Sequence, residues 1–89
     1  MNHITQKDLE TLVSQLNKVC NTPMEYSTNG TINIGNFHMY YAYGQVGLQQ
    51  TTNTSGGCNT AFYLTTKREL YSQIQAFIAG IEYRNLETI

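Results

Sequence analysis

The sequence predicts an α+β fold: an N-terminal helix, an antiparallel three- or four-stranded β-meander and a C-terminal helix, stacked as a two-layer sandwich. Two segments near the chain ends carry apolar residues at three- and four-residue spacing. Between them lie short alternating runs punctuated by Asn29-Gly30 and Gly44. The length of 89 residues fits one domain, so residues 1–89 read as a single α-β-β-β-α unit.

The first helix opens on Thr5 and Asp8, which resemble a capping box with Asp in place of Glu or Gln. Leu9, Leu12, Val13, Leu16, Val19 and Cys20 then mark one apolar face. Asn21-Thr22-Pro23 stops it, since proline has no amide to continue the ladder. Met24 to Thr28 reads as a short strand, and Asn29-Gly30 as a two-residue hairpin turn. The return strand carries Ile32 and Ile34 on one face, while Phe37, Met39 and Tyr41 continue on the opposite parity. A β-bulge at Gly35-Asn36 would reconcile the two. Alternation then puts Tyr41 and Tyr43 with the core and His38 and Tyr40 on the other face.

Gly44 marks the next turn, and Gln45 to Gln50 form a strand with Val46 and Leu48 on one side. Residues 51–60 read as a polar loop containing Gly56-Gly57, and Phe62 to Leu64 as a short strand. Thr66 caps the last helix with Glu69 reaching back. Leu70, Ile74, Phe77, Ile78 and Ile81 form its buried stripe. Gly80 interrupts that pattern and suits close packing against another helix, and the tail after Arg84 is expected to fray.

Composition narrows the function. Charged residues make up 12% of the chain, against about 25% in an ordinary domain. Five Lys and Arg with a net charge of −1 are too few for a duplex-binding stripe. No apolar run approaches the roughly 18 residues of a membrane span. The two histidines and two cysteines lack metal-ligand spacing, so neither metal nor cofactor is expected. No signal peptide precedes the chain, so Cys20 and Cys58 are read as reduced thiols in the cytoplasm. A chain this small gains stability from self-association, and a dimer or tetramer is expected.

The most informative polar feature is Thr65-Thr66-Lys67-Arg68 at the start of the last helix. A helix N-terminus carries about half a positive charge and free amide donors, so two cations there oppose the dipole. Together these groups suit a phosphate or carboxylate, and Gly56-Gly57 would let loop backbone approach it. The same pattern also fits cations that extend into water and are offset by Glu69. The second feature is the cluster of Tyr40, Tyr41 and Tyr43 beside His38. Tyr40 and Tyr43 offer stacking faces, though strands favour tyrosine for packing alone. Catalysis is not expected: the carboxylates form no pair, and a Cys58–His38 nucleophile and base would lack an orienting third group.

The runs NIGNFHMYYAYGQVGL (33–48) and TTKRELYSQIQAFIAGI (65–81) resemble a widespread group of small tailed-bacteriophage proteins. The residues that carry the likeness are Gly35, Phe37, His38, Ala42, Tyr43, Gly44, Gly56, Gly57, Thr66, Lys67 and Arg68, with a departure at Gln45. The resemblance implies a phage immune-evasion protein in the cytoplasm of an infected bacterium. Such a protein would act as an oligomeric sponge that sequesters a cyclic di- or oligonucleotide signal of CBASS or Thoeris immunity without cleaving it. Its binding residues would be Thr65, Thr66, Lys67, Arg68, Gly56, Gly57, His38, Tyr40 and Tyr43. The alternative is a protein–protein inhibitor of a host defence complex, of anti-CRISPR or anti-restriction type, acting through the open sheet face.

Overall fold

The computed structural model describes residues 3–87, with side chains through Arg84. Helix α1 (Gln6–Cys20) opens on the expected box. The Asp8 amide donates to Thr5 Oγ1 at 3.1 Å, and the Thr5 amide donates to the Asp8 carboxylate at 2.9 Å. Aspartate therefore closes the box despite its shorter side chain. The helix ends at Asn21, whose left-handed φ of 58° turns its N–H back onto the Asn17 and Lys18 carbonyls.

Strands β1 (Ser27–Thr28) and β2 (Thr31–Ile32) form a small hairpin. Its turn residues Asn29 and Gly30 both have positive φ, 52° and 81°, as a two-residue turn of this kind demands. The strand expected over Met24–Thr28 shrinks to its last two residues. The bulge expected at Gly35-Asn36 is instead a turn, with Gly35 at φ 97° and the Asn36 amide donating to the Asn33 carbonyl at 3.4 Å. The apolar parity switches there because the chain leaves one sheet and enters another, not because one strand carries an extra residue.

The main sheet is an antiparallel meander of β3 (Phe37–Ala42), β4 (Gln45–Thr51) and β5 (Cys58–Thr65), in that order. β5 is much longer than the strand expected at Phe62–Leu64: Cys58, Asn59 and Thr60 pair with Thr51, Gln50 and Gln49. They read as loop because Asn59 and Thr60 are exposed on an edge strand and so need no apolar side chains. Helix α2 (Lys67–Glu87) follows directly and extends past the fraying expected after Arg84. Residues 88 and 89 lie outside the described ones.

Both helices cover one face of the meander. Register puts Phe37, Met39, Val46 and Leu48 on that face, with Phe62 opposite Leu48. They pack with Leu9, Leu12, Val13 and Leu16 of α1 and Leu70, Ile74 and Ile78 of α2. Two expected core residues are not there. Tyr41 is 48% exposed at the end of an edge strand, and Tyr43 is 95% exposed because it belongs to the turn, with φ 55°, and not to β3. Phe77 is partly exposed, though its ring meets Phe37 and Phe62 edge-on. A Cβ built on Gly80 would meet nothing within 4 Å, so Gly80 permits no close helix contact inside this chain.

One buried polar residue ties the layers together. Asn17, 2% exposed, donates Nδ2 to the Phe37 carbonyl at 3.0 Å and accepts the Phe37 amide on Oδ1 at 2.9 Å. It satisfies both backbone groups of the first residue of β3, as a neighbouring strand would. Thr22 Oγ1 also donates to Oδ1, at 2.7 Å.

Strand number fixes the direction of the helices. β3 runs back toward the start of α1, β4 away from it and β5 toward it again. An odd count of strands therefore starts α2 at the same end of the sheet as α1.

Candidate functional site

That shared end holds a concavity of about 620 Å³. It is lined by His3, Ile4, Thr5 and Gln6 from the start of α1, Gly44 and Gln45 from the β3–β4 turn, and Thr66, Lys67 and Arg68 from the start of α2. The size lies within the range of small-molecule sites. In α2 the Thr66 hydroxyl accepts the Glu69 amide at 3.1 Å, and the Thr66 carbonyl accepts the Leu70 amide at 3.0 Å. The Lys67 and Arg68 amides precede the first helical bond, and so do those of Gln6 and Lys7 in α1. Two helix ends, each equivalent to about half a positive charge, thus open on one hollow together with the Lys67 and Arg68 side chains. Asp8 and Glu69 in the same first turns offset part of this field.

The sequence-derived residues separate into two groups. Thr66, Lys67 and Arg68 line the concavity, Thr65 closes β5 just before them, and exposed Tyr43 precedes the lining Gly44 without lining the concavity itself. His38, Gly56 and Gly57 lie at the opposite end of the sheet. β5 spans roughly 23 Å between Cys58 and Thr65, so the glycine pair does not approach a ligand held by the α2 N-terminus. Tyr40 is in neither group: its ring lies across Gly47 in mid-sheet, on the face away from the helices. The residues missed by sequence reasoning are His3, Ile4, Thr5, Gln6 and Gln45. Their only sequence signal was the Thr5 capping box, which located a second helix start but not its position beside the first.

At the far end, His38 Nε2 lies 3.7 Å from Cys58 Sγ, and Tyr26 meets the imidazole edge-on with centroids 4.9 Å apart. Both cysteines are free, and burial pushes the Cys20 thiol above its ordinary value. Among the described residues no group of three or more His, Cys, Asp or Glu could hold a metal ion. No described helix is long and apolar enough to cross a membrane.

No family model matches the chain, and no curated protein or solved structure matches it either. The resemblance to small phage proteins is therefore without support from any of the three comparisons. The assignments that rested on it, namely a bacteriophage origin, immune evasion, anti-CBASS activity and cyclic-nucleotide binding as a sponge, are withdrawn. Short aromatic and glycine runs of this kind recur wherever a hairpin needs turn residues and a strand needs β-formers, so likeness over them is weak ground.

Proposed function

We propose that this protein captures a small phosphate- or carboxylate-bearing molecule at the shared N-terminal end of its two helices, without altering it chemically. The observation that carries the reading is the convergence of both helix starts, Lys67 and Arg68 on one concavity. Free amide donors at the starts of two helices pre-organise the site, and the cations add charge-assisted bonds to the anion. Gln45 supplies a neutral donor that fixes orientation, while the Gln6 side chain donates to Glu10, and exposed Tyr43 next to Gly44 offers a flat apolar face.

Calorimetric titration with inorganic phosphate and with citrate at low ionic strength tests the reading. Wild-type protein is expected to bind saturably at one site per chain. Lys67→Ala with Arg68→Ala is expected to weaken binding at least about ten-fold, since each charge-assisted bond is worth about 1.5–3 kcal/mol before solvent screening. Lys18→Ala, in the last turn of α1, is expected to leave it unchanged. Equal affinity in all three proteins contradicts the assignment.

A second reading has its own observation. The sheet face away from the helices carries Tyr40 and the 81% exposed Tyr63, and tyrosine is enriched in protein interfaces. A protein partner docking there would be lost in Tyr63→Ser and retained in the Lys67/Arg68 variant, the reverse of the anion reading.

A further inference from the structure

The far end of the sheet presents a different chemistry. Cys58 begins β5 on the face away from the helices, with His38 two strands away and Thr51 its cross-strand neighbour on β4. His38 Nε2 is 3.7 Å from Sγ, and the Gly56 carbonyl oxygen is 3.5 Å from Sγ on the other side. Two polar atoms beside the thiol lack a partner: buried His38 Nδ1 and the hydroxyl of Thr51, a residue only 2% exposed. Cross-strand partners share a face, so the Thr51 side chain sits next to that of Cys58.

Sulfur faces the Nε2 side of the ring. Either tautomer leaves Nδ1 without a partner, as a donor or as an acceptor. The resting thiol donates to the Gly56 carbonyl, and in the tautomer protonated at Nε2 the ring N–H faces sulfur. Gly56, at φ 94°, takes the left-handed conformation that brings this carbonyl round to Sγ. When the thiol loses its proton to water, Nε2–H remains as a donor to the sulfur anion, and the Thr51 hydroxyl is a second group within the same pocket of side chains. Donors held on a sulfur stabilise thiolate, and thiolate is the reactive form.

We propose that Cys58 is a reactive thiol, activated by His38, that forms mixed disulfides with low-molecular-weight disulfides. The Cys58 thiolate attacks one sulfur of R–S–S–R, a Cys58 S–S bond forms and the original S–S bond breaks. The leaving thiolate carries away the electron pair and takes up a proton from solvent, equal to the one Cys58 released. Cys58 is oxidised, and the departing half of the reagent is reduced. Cys58 is only half-buried, so part of it stays within reach of such a reagent, although Tyr26 and Ile32 pack beside the neighbouring His38 and Gly56. This site is independent of the anion concavity, at the other end of β5.

The chain carries its own reference thiol. Cys20, at the end of α1, is also half-buried, but burial disfavours its thiolate. Intact protein is incubated with oxidised glutathione and with uncharged hydroxyethyl disulfide, and adducts at each cysteine are timed by peptide mass spectrometry. Cys58 is expected to react at least about ten-fold faster than Cys20 with both reagents, a difference of about 1.4 kcal/mol in barrier. His38→Ala is expected to slow Cys58 at least five-fold while the Cys20 rate stays constant, which controls for unfolding. His38→Gln, whose amide can still donate toward sulfur, is expected to recover part of the rate. Equal rates at the two cysteines in wild type, or an unchanged Cys58 rate in His38→Ala, would overturn the proposal. If His38→Ala raises the Cys20 rate through unfolding, the comparison rests on His38→Gln against wild type. A Cys58 rate in that variant between those of wild-type Cys58 and Cys20 supports the proposal, and a rate no faster than Cys20 or above wild type refutes it.

Discussion

Replacing Asn17 with alanine is expected to be among the most damaging single changes in this fold. Asn17 stands on the buried face of α1 and occupies both backbone groups of Phe37, at 2.9 and 3.0 Å. Phe37 is itself buried at the start of an edge strand, so water cannot freely replace the lost partners. Each buried backbone group left without a partner costs about 1–3 kcal/mol, which gives a loss on the order of 3–4 kcal/mol for the pair. A domain of this length has a total stability of roughly 4–13 kcal/mol, so the variant would be near the limit of folding. With a urea slope of about 1–2 kcal/mol per molar, the midpoint in far-ultraviolet circular dichroism should fall by roughly 2 M. Asn17→Asp keeps the acceptor for Phe37 and Thr22 but loses the donor, and should lie between. A loss under about 1 kcal/mol for Asn17→Ala would refute the claim that this side chain anchors β3 to α1.

Gly47→Ala places a Cβ 2.5 Å from Tyr40 Cε1 and 2.8 Å from the Phe62 carbonyl oxygen. The backbone contact cannot move aside, so a loss of about 1–3 kcal/mol is expected, and an unchanged melting temperature would contradict the packing. Burial holds the Cys20 thiol above its ordinary value, and burial followed by the Glu10 charge does the same for the Tyr41 hydroxyl. Both groups deprotonate more readily in the unfolded chain, so their stabilisation is complete below the unfolded-state values and is lost as pH rises through the folded ones. Denaturation midpoints should fall as pH climbs past about 9, and less so in Cys20→Ala; a flat profile to about pH 11 would contradict this. The distal half of α2 exposes Ala76, Phe77, Gly80 and Tyr83, and we propose that a second copy covers it. Light scattering should then give a dimer, and Gly80→Glu, which meets nothing within its own chain, should give a folded monomer; a wild-type monomer at micromolar concentration would count against it.

Local chemistry was legible where one short motif decides the outcome. The Thr5–Asp8 box, the Asn29-Gly30 turn and the Thr66 cap lie where side-chain chemistry puts them. Tyr43 reads as a strand residue because Gly44 alone carries an obvious turn signal, whereas both residues have positive φ. Asn17 carried an unread signal: it is four residues beyond Val13, on the apolar face, where a polar side chain needs partners. The site's composition was half visible. Thr66, Lys67 and Arg68 were identifiable from a charge pattern that opposes the helix dipole, but His3, Gln6 and Gln45 join them only through topology. A three-stranded meander brings the two helix starts together and a four-stranded one would separate them. The sequence left that count open, because the polar half of β5 looks like loop.

If two helix ends jointly hold an anion, their backbone amide shifts report on it most directly. In a phosphate titration at low ionic strength, followed by nitrogen–proton correlation spectra, the Gln6, Lys7, Lys67 and Arg68 amides should move together along one saturating curve. Shifts confined to α2, or a small linear drift spread over the whole surface, would contradict it.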